Sequence, residues 1–580
     1  MAAFLPSPPL RQLRSAAARS TSPSLQLRAA SDKAATPGSA RHRVVVWFRN
    51  DLRLHDHPGL STAIEQVRRL GADKAEVLPV FCIDPRQFGI SEWGSPKTGI
   101  FRARFLVESV ADLKRQLRGL GSDLLVAIGQ PETILPELAT LPSEKGQPER
   151  ATVVASEEVT SEETAVQDAV RRNLRSQKAE LSLHWSSTLH HIDDIRSIFD
   201  RDLRTMPTVF TPFRTKVEAR LLPGATLPTP QQGDVGAAPK IDLTKACLDA
   251  SFDLVPRVED LPWAGGRPPE AHSWSQPAVL DFRGGEEEGL KRLSHYVWSD
   301  HIATYFDTRN GMLGADYSSK LSPWLAHGCL SPRRIYEEVA KYESERVKNK
   351  STYWLVFELL WRDYFRFFAL KNGRRVFQQR GIAFTSPPPP PIRQDGKAEE
   401  LLDAWKNGQT GVPLVDANMR ELAATGFMSN RGRQNVGSFL ALDLCLDWRY
   451  GADHFESLLL DYDVCSNWGN WVAIAGRIGG RLNRFNIPRQ ARTYDPQGEY
   501  VRVWCPELRN VPTEYIFEPW TMPASVQQKS GCVIGVDYPQ CVVGANHWPP
   551  SSASGGGRAA RPPRSPSGRG RGGKKGRVAR

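Results

Sequence analysis

The sequence predicts two folds in series: an α/β domain built as a doubly wound parallel sheet, then an all-α domain. Three observations carry that prediction. Short apolar runs alternate with helical segments through the first third of the chain, the pattern of repeated βαβ units. A Pro/Gly-rich stretch from about 220 to 290 follows and reads as a linker. From 291 to about 480 the pattern turns helical and aromatic-rich.

Residues 1–43 are rich in Ser, Ala, Arg and Pro, and their one acid is Asp32. That composition suits an organelle transit peptide for chloroplast or mitochondrion, or an ordinary disordered terminus. The apolar run at 44–48 reads as a buried first strand, with further strands at 77–83, 123–128 and 151–155. A helical pattern fills 100–120, and the α/β domain spans 44–185. No G-x-G-x-x-G follows the first strand, so a dinucleotide is not expected in this half. The linker takes 186–290, the helical domain 291–525, and a C-terminal extension 526–580. Pro387 to Pro391 break the helical domain with a loop, and the Gly/Arg-rich end at 568–573 cannot bury a core.

The formal charge of +12 over 580 residues belongs to the two ends. Residues 1–43 contribute +6 and residues 551–580 contribute +9, leaving −3 for the body. A DNA-binding face on the body must therefore be a local basic patch. Eight cysteines form no C-x-x-C pair, so no metal site is predicted. No run of about 18 apolar residues suggests a membrane span.

Several segments carry chemistry. Residues 47–53 (Trp-Phe-Arg-Asn-Asp-Leu-Arg) follow the first strand, where α/β folds bind ligands; a structural charge cluster is the alternative. Helical spacing puts Trp354, Glu358, Trp361 and Phe365 on one face. That face suits a flat aromatic pocket with one polar anchor, or a core helix with a paired carboxylate. The Asp461 to Asn467 stretch lacks the sixth-position Gly and closing Glu of a calcium loop. Arg431 and Arg433 are placed to pair with its acids or with phosphates. Trp405, Trp448 and Trp471 punctuate the helical domain, where most such rings are core.

Together these segments resemble the photolyase/cryptochrome family, most closely its DASH-type cryptochromes, over roughly 44–525. Residues 411–420 (Gly-Val-Pro-Leu-Val-Asp-Ala-Asn-Met-Arg) and 425–434 (Thr-Gly-Phe-Met-Ser-Asn-Arg-Gly-Arg-Gln) are the most specific. The resemblance implies a photolyase-like fold whose helical domain binds FAD. Tyr305, Ser318, Ser319, Lys320, Leu321 and Ser322 would hold its phosphate and ribitol region, and Trp354 would line the cavity. Arg433 would pair with Asp461 beside the isoalloxazine, Asp463 would accept from the ring, and Asn467 would face N5. An amide there could donate or accept by turning over.

In repairing members of the family a cyclobutane pyrimidine dimer leaves the stack and enters a cavity above the flavin. Glu358 and Asn430 match the residues that hydrogen-bond the dimer, and Trp361 the ring that packs against it. By the same resemblance Arg431 and Gln434 would belong to the nucleic-acid face, and DASH members favour single-stranded DNA. Trp471 and Trp448 match the proximal and middle members of an electron-hopping chain; the distal member has no counterpart. Glu108 matches the anchor of a folate antenna, methenyltetrahydrofolate, or is a solvent-facing helix residue. The chain departs from the family at Ala473, where DASH members carry an aromatic, and across 476–483. It is expected to be monomeric, with repair of dimers or blue-light reception as its two functions. The Gly/Arg tail suits RNA or single strands, or serves only for solubility.

Overall fold

The computed structural model describes residues 41–246, 248–270 and 278–548. The stretch read as a transit peptide, up to residue 40, and the Gly/Arg tail lie outside the described residues.

Five strands, β1 (His42–Phe48), β2 (Ala75–Ile83), β3 (Leu125–Ile128), β4 (Arg150–Ser156) and β5 (Ala179–His184), pair in parallel in the order β5-β4-β1-β2-β3. Helices α1 (Pro58–Leu70), α2 (Ile100–Gly119), α3 (Pro131–Thr140) and α4 (Ser161–Ser176) lie between successive strands. Val44 and Val46 join one apolar cluster and Val45 and Trp47 another, so both faces of β1 are covered. That double burial is why β1 reads as an unbroken apolar run.

The order of strands reverses between β1 and β4, which places a crevice at the C-terminal end of β1. Here protein fills it. Leu52 N donates to His327 O (3.2 Å) and Arg53 Nη1 to Gly328 O (2.8 Å). Gly328 has φ 68°, and a Cβ there would lie 2.0 Å from Asn50 O. Residues 47–53 therefore form the seam between the domains.

The segment expected as a linker holds two helices, α5 (Ile192–Phe199) and α6 (Phe210–Glu218). Ile192, Ile195 and Phe199, then Phe210, Phe213 and Val217, bury at helical spacing; the Pro/Gly-rich composition begins only after them. A sixth strand, β6 (Ala250–Ser251), then adds antiparallel to β3.

The helical domain opens with α7 (Glu286–Trp298), α8 (Tyr305–Thr308), α9 (Ser322–Ala326) and α10 (Pro332–Glu345). Its axis is α11 (Lys350–Asn372), started by a capping box in which Asn349 and Thr352 satisfy each other's backbone. Asp363 on α11 accepts from Leu189 N (2.8 Å) and His190 N (2.9 Å), fastening the domains together. There follow α12 (Ala398–Lys406), α13 (Pro413–Thr425), α14 (Asn430–Ser438), α15 (Trp448–Leu458), α16 (Val464–Ile474), α17 (Ile487–Tyr494), α18 (Glu499–Trp504) and α19 (Ala524–Ser530). The packed body runs past the expected boundary at 525. Tyr538 is buried and donates to Asp416, and Val542 N donates to Thr410 O (3.0 Å). These tail residues bury singly from turns, so no period betrayed them.

The atypical 476–483 segment turns at Gly476, Gly479 and Gly480, with φ of 70°, 81° and 76°. It is stitched to the preceding Pro-rich loop: Ile382 and Ala383 donate to Arg477 O, and Gly479 N donates to Ala383 O. Among the described residues no helix is long and apolar enough to cross a membrane.

Candidate functional site

The face predicted on α11 forms. Trp354 Nε1 donates to Glu358 Oε1 (3.1 Å), and Arg309 Nη1 stands 3.6 Å from the same oxygen. The Arg309 guanidinium also lies 4.7 Å above the Trp354 ring. Burial pushes the Glu358 carboxyl above its ordinary value, against the pull of Arg309. Trp361 stacks on Phe365 at 5.5 Å and, on α6, on Phe210 at 3.7 Å. Neither Phe210 nor Arg309 figured among the expected site residues. Nothing local in the sequence marks either residue.

Helix α14 lies near this face, its Arg431 reaching Asn310 beside Arg309. Ser429 caps it by accepting from Gly432 N (3.0 Å), which leaves Asn430 exposed in the first turn. A Cβ at Gly432 would lie 1.9 Å from Asn418 Oδ1, so only glycine lets α13 and α14 approach this closely. Arg431 donates to Asn310 Oδ1 (2.7 Å) and Gln434 Oε1 (2.9 Å), and lies 4.3 Å from the Tyr494 ring centre. Its partners are these amides, not the acids at 461 and 463.

Arg433 makes the expected pair. Its Nη2 reaches both oxygens of Asp461, at 3.0 and 2.8 Å, while Nε donates to Met428 O (2.9 Å). Asp463 caps α16, accepting from Ser466 N (2.7 Å), with Arg362 3.7 Å away. Asn467 is buried, and its Nδ2 donates to Ala452 O (2.9 Å). Turning that amide over would break the bond and set two carbonyl oxygens against each other, so the freedom expected of it is lost.

The loop between α8 and α9 is organised from α7. Arg292 donates to Ser318 O (3.1 Å), Ser319 O (2.9 Å) and Asp316 Oδ1 (2.6 Å). Tyr305 and Leu321 are buried, and Ser322 opens the five-residue α9. Lys320 curls back, donating to Gly314 O (3.1 Å) and Ala315 O (2.9 Å); burial pulls its pKa down to about 7. It thus serves its own loop.

Trp471 packs against Trp405 (6.1 Å) and Phe455 (5.1 Å), while Trp448 packs against Trp468 (5.9 Å) and donates to Gln379 O (3.2 Å). The Trp405–Trp471 contact is one that sequence position alone did not reveal. Ala473 is buried on α16. Glu108 accepts from Gly284 N (2.7 Å), tying α2 to the approach of α7.

These residues fit a large polar ligand. Tyr317 Oη, Asn418 Oδ1 and Asn435 Oδ1 are buried without hydrogen-bond partners, on the loop, α13 and α14. Such atoms are costly unless something completes them. Glu421 is fully buried beside them with its pKa pushed up to about 8 by burial, although Tyr500 donates to it (2.6 Å).

A parallel-sheet domain clamped to a helical domain with these acid, amide and arginine walls defines a class, and the chain belongs to it: the photolyase/cryptochrome family. Residues 44–231 match the DNA photolyase domain and residues 354–549 the FAD binding domain of DNA photolyase. Within the family its relatives are DASH cryptochromes. It is 47% identical over 513 residues to "Cryptochrome DASH, chloroplastic/mitochondrial" of Ostreococcus tauri, covering 86% of this chain and 90% of that one. A crystal structure of a Synechocystis cryptochrome superposes with TM-score 0.75 at 44% identity, covering 86% of this chain and 96% of that one. A bacterial class III photolyase from Agrobacterium tumefaciens gives TM-score 0.68 at 26% identity, covering 89% and 96%.

Proposed function

We propose that this chain uses FAD and blue light to repair cyclobutane pyrimidine dimers in single-stranded DNA. The observation that carries the reading is the α11 face, where Glu358 is held by Trp354 and Arg309 one turn from the Trp361 ring. When bound and reduced, FAD supplies a light-excited electron donor. The protein's own residues would do the rest. An extruded dimer would stack on Trp361, with Glu358 and Asn430 hydrogen-bonding its polar edge. Burial raises the pKa of Glu358 against the pull of Arg309, which favours the protonated form that could donate to a carbonyl oxygen. Arg431 and Gln434, already bonded to each other, would meet the flanking strand.

Arg433, Asp461, Asp463 and Asn467 would grip the flavin ring, Trp354 would line the cavity, and Tyr305, Ser318, Ser319, Leu321 and Ser322 would hold the rest of the cofactor, their loop kept in place by Lys320. Asn467, its Nδ2 engaged by Ala452, would offer Oδ1 to the ring. Trp448 and Trp471 would relay electrons inward. A folate antenna would anchor on Glu108, whose Oε2 accepts from Gly284 N and whose Oε1 faces Arg104 at 3.5 Å. The chloroplastic/mitochondrial name of the Ostreococcus tauri relative and the Ser/Ala/Arg-rich start favour an organellar address. The Gly/Arg tail would add affinity for RNA.

Ala473 favours a second reading, a blue-light receptor without turnover, because no ring stands there to cover the other face of a dimer. The experiment is to illuminate reduced protein with dimer-containing oligothymidylate and follow thymine absorbance. Recovery in proportion to light supports repair; a yellow protein that restores nothing leaves the receptor.

A further inference from the structure

We infer that His295, His301 and Asp316 form a binding site for a divalent transition-metal cation such as Zn2+, separate from the flavin and DNA sites. One ligand atom from each residue lies within 4.8 Å of the other two. His295 Nε2 is 3.3 Å from Asp316 Oδ1, and His301 Nε2 is 3.6 Å from Asp316 Oδ2. Tetrahedral Zn2+ with bonds of about 2.0–2.1 Å holds its ligand atoms about 3.3 Å apart, so each imidazole already stands near that spacing from one oxygen of the carboxylate, Oδ1 for His295 and Oδ2 for His301. Two imidazoles and a carboxylate are a donor set for zinc and its neighbours, not for calcium or magnesium.

Three separate elements converge on the site. His295 lies in the last turn of α7. Asp300, with φ 65°, then turns the chain so that His301 folds back beside it, the two rings 5.2 Å apart. Asp316 arrives from the loop before α9. Arg292, one turn before His295, donates to Asp316 Oδ1 (2.6 Å) and so fixes the carboxylate from behind. His301 is in turn steadied by the Tyr296 ring at 6.0 Å. The imidazoles are 49% and 36% exposed and Asp316 29%, which gives a cation entry from solvent.

The site has a mechanical consequence. Asp316 and the Arg292-bound carbonyls of Ser318 and Ser319 belong to one loop, so a bound cation would rivet that loop to the end of α7. The loop's order would then depend on metal as well as on Arg292. This inference stands whether or not the repair reading does.

The test is calorimetric titration of chelator-treated full-length protein with Zn2+ alone. One equivalent should bind, at least ~10-fold more weakly in His295→Ala and in His301→Ala, and not at all in the double variant. His191→Ala, at the exposed histidine that caps α5, should bind as the unaltered protein does. Titration with Co2+ should give a visible spectrum without a thiolate charge-transfer band. In the unaltered protein Zn2+ should also slow hydrogen exchange across residues 311–322, a reading that needs no variant to fold. Undiminished binding in the double variant, a thiolate band, or unchanged exchange across that loop would each overturn the site.

Discussion

Phe210 and Trp361 lie face to face, their ring centres 3.7 Å apart and their planes 13° from parallel. The first ring comes from the segment expected as a linker, the second from the axial helix of the FAD-binding domain. Phe210 therefore backs Trp361 and holds it flat. Phe210→Ala should cost about 3–5 kcal/mol of stability by opening a cavity, read as a lower melting temperature. It should also weaken binding of dimer-containing oligonucleotide, because a loose Trp361 must be ordered at binding. Unchanged affinity would separate Trp361 from substrate.

Arg433 and Asp461 form a pair whose acid is almost wholly buried. Arg433→Ala leaves that carboxylate uncompensated and should cost about 3 kcal/mol, the low end for a broken buried pair because Arg433 keeps some exposure. Asp461→Asn should cost less, since an amide oxygen still accepts from the guanidinium. Loss of the yellow colour on purification of both variants is the expected spectroscopic sign.

Glu421 should shape the pH dependence of stability. Its pKa is about 8 in the folded protein and about 4.3 when unfolded. Between those values the folded chain holds a proton that the unfolded chain has lost. Its stabilising contribution is thus full below about pH 4.3 and falls by up to about 1.4 kcal/mol per unit until pH passes about 8. Denaturant titrations of the protein and of Glu421→Gln, compared from pH 5.5 to 8, should show stability falling more steeply with pH in the former, the difference between the two being the Glu421 contribution.

Glu358→Gln tests the anchor of the aromatic face. Glutamine keeps an acceptor for Trp354 Nε1 but loses the ionisable proton and the attraction of Arg309. Repair should fall at least about tenfold, equivalent to 1.4 kcal/mol, while flavin content stays unchanged. A variant that repairs normally would remove Glu358 from the reaction.

Ala473→Tyr should act in two directions. Ala473 is buried, so the added ring should cost about 1–3 kcal/mol through overpacking. A new stacking surface should tighten binding of dimer-containing oligothymidylate about tenfold or more. Lower stability with no gain in affinity would place residue 473 outside the cavity.

The strands at 44–48 and 77–83, the α11 face and the helical character of the second domain were all legible, because each is written in a local period of apolar residues. The Arg433–Asp461 pair was legible through resemblance to a family, not through spacing. The linker was misjudged because proline and glycine after 220 masked the helical spacing of Ile192, Ile195 and Phe199 before it. The end of the helical domain was misjudged because Tyr538 and Trp548 bury one at a time. The turning amide expected at Asn467 failed on Ala452, a neighbour fifteen positions earlier in the chain.

By itself the sequence determined the two-domain order and the family, since burial periods and contiguous motifs are properties of neighbours along the chain. Only the tertiary structure decided that Phe210 backs Trp361, that Lys320 serves its own loop, and that His295, His301 and Asp316 meet. Those relationships join residues whose separation carries no period, and they exist only once packing has closed the chain on itself.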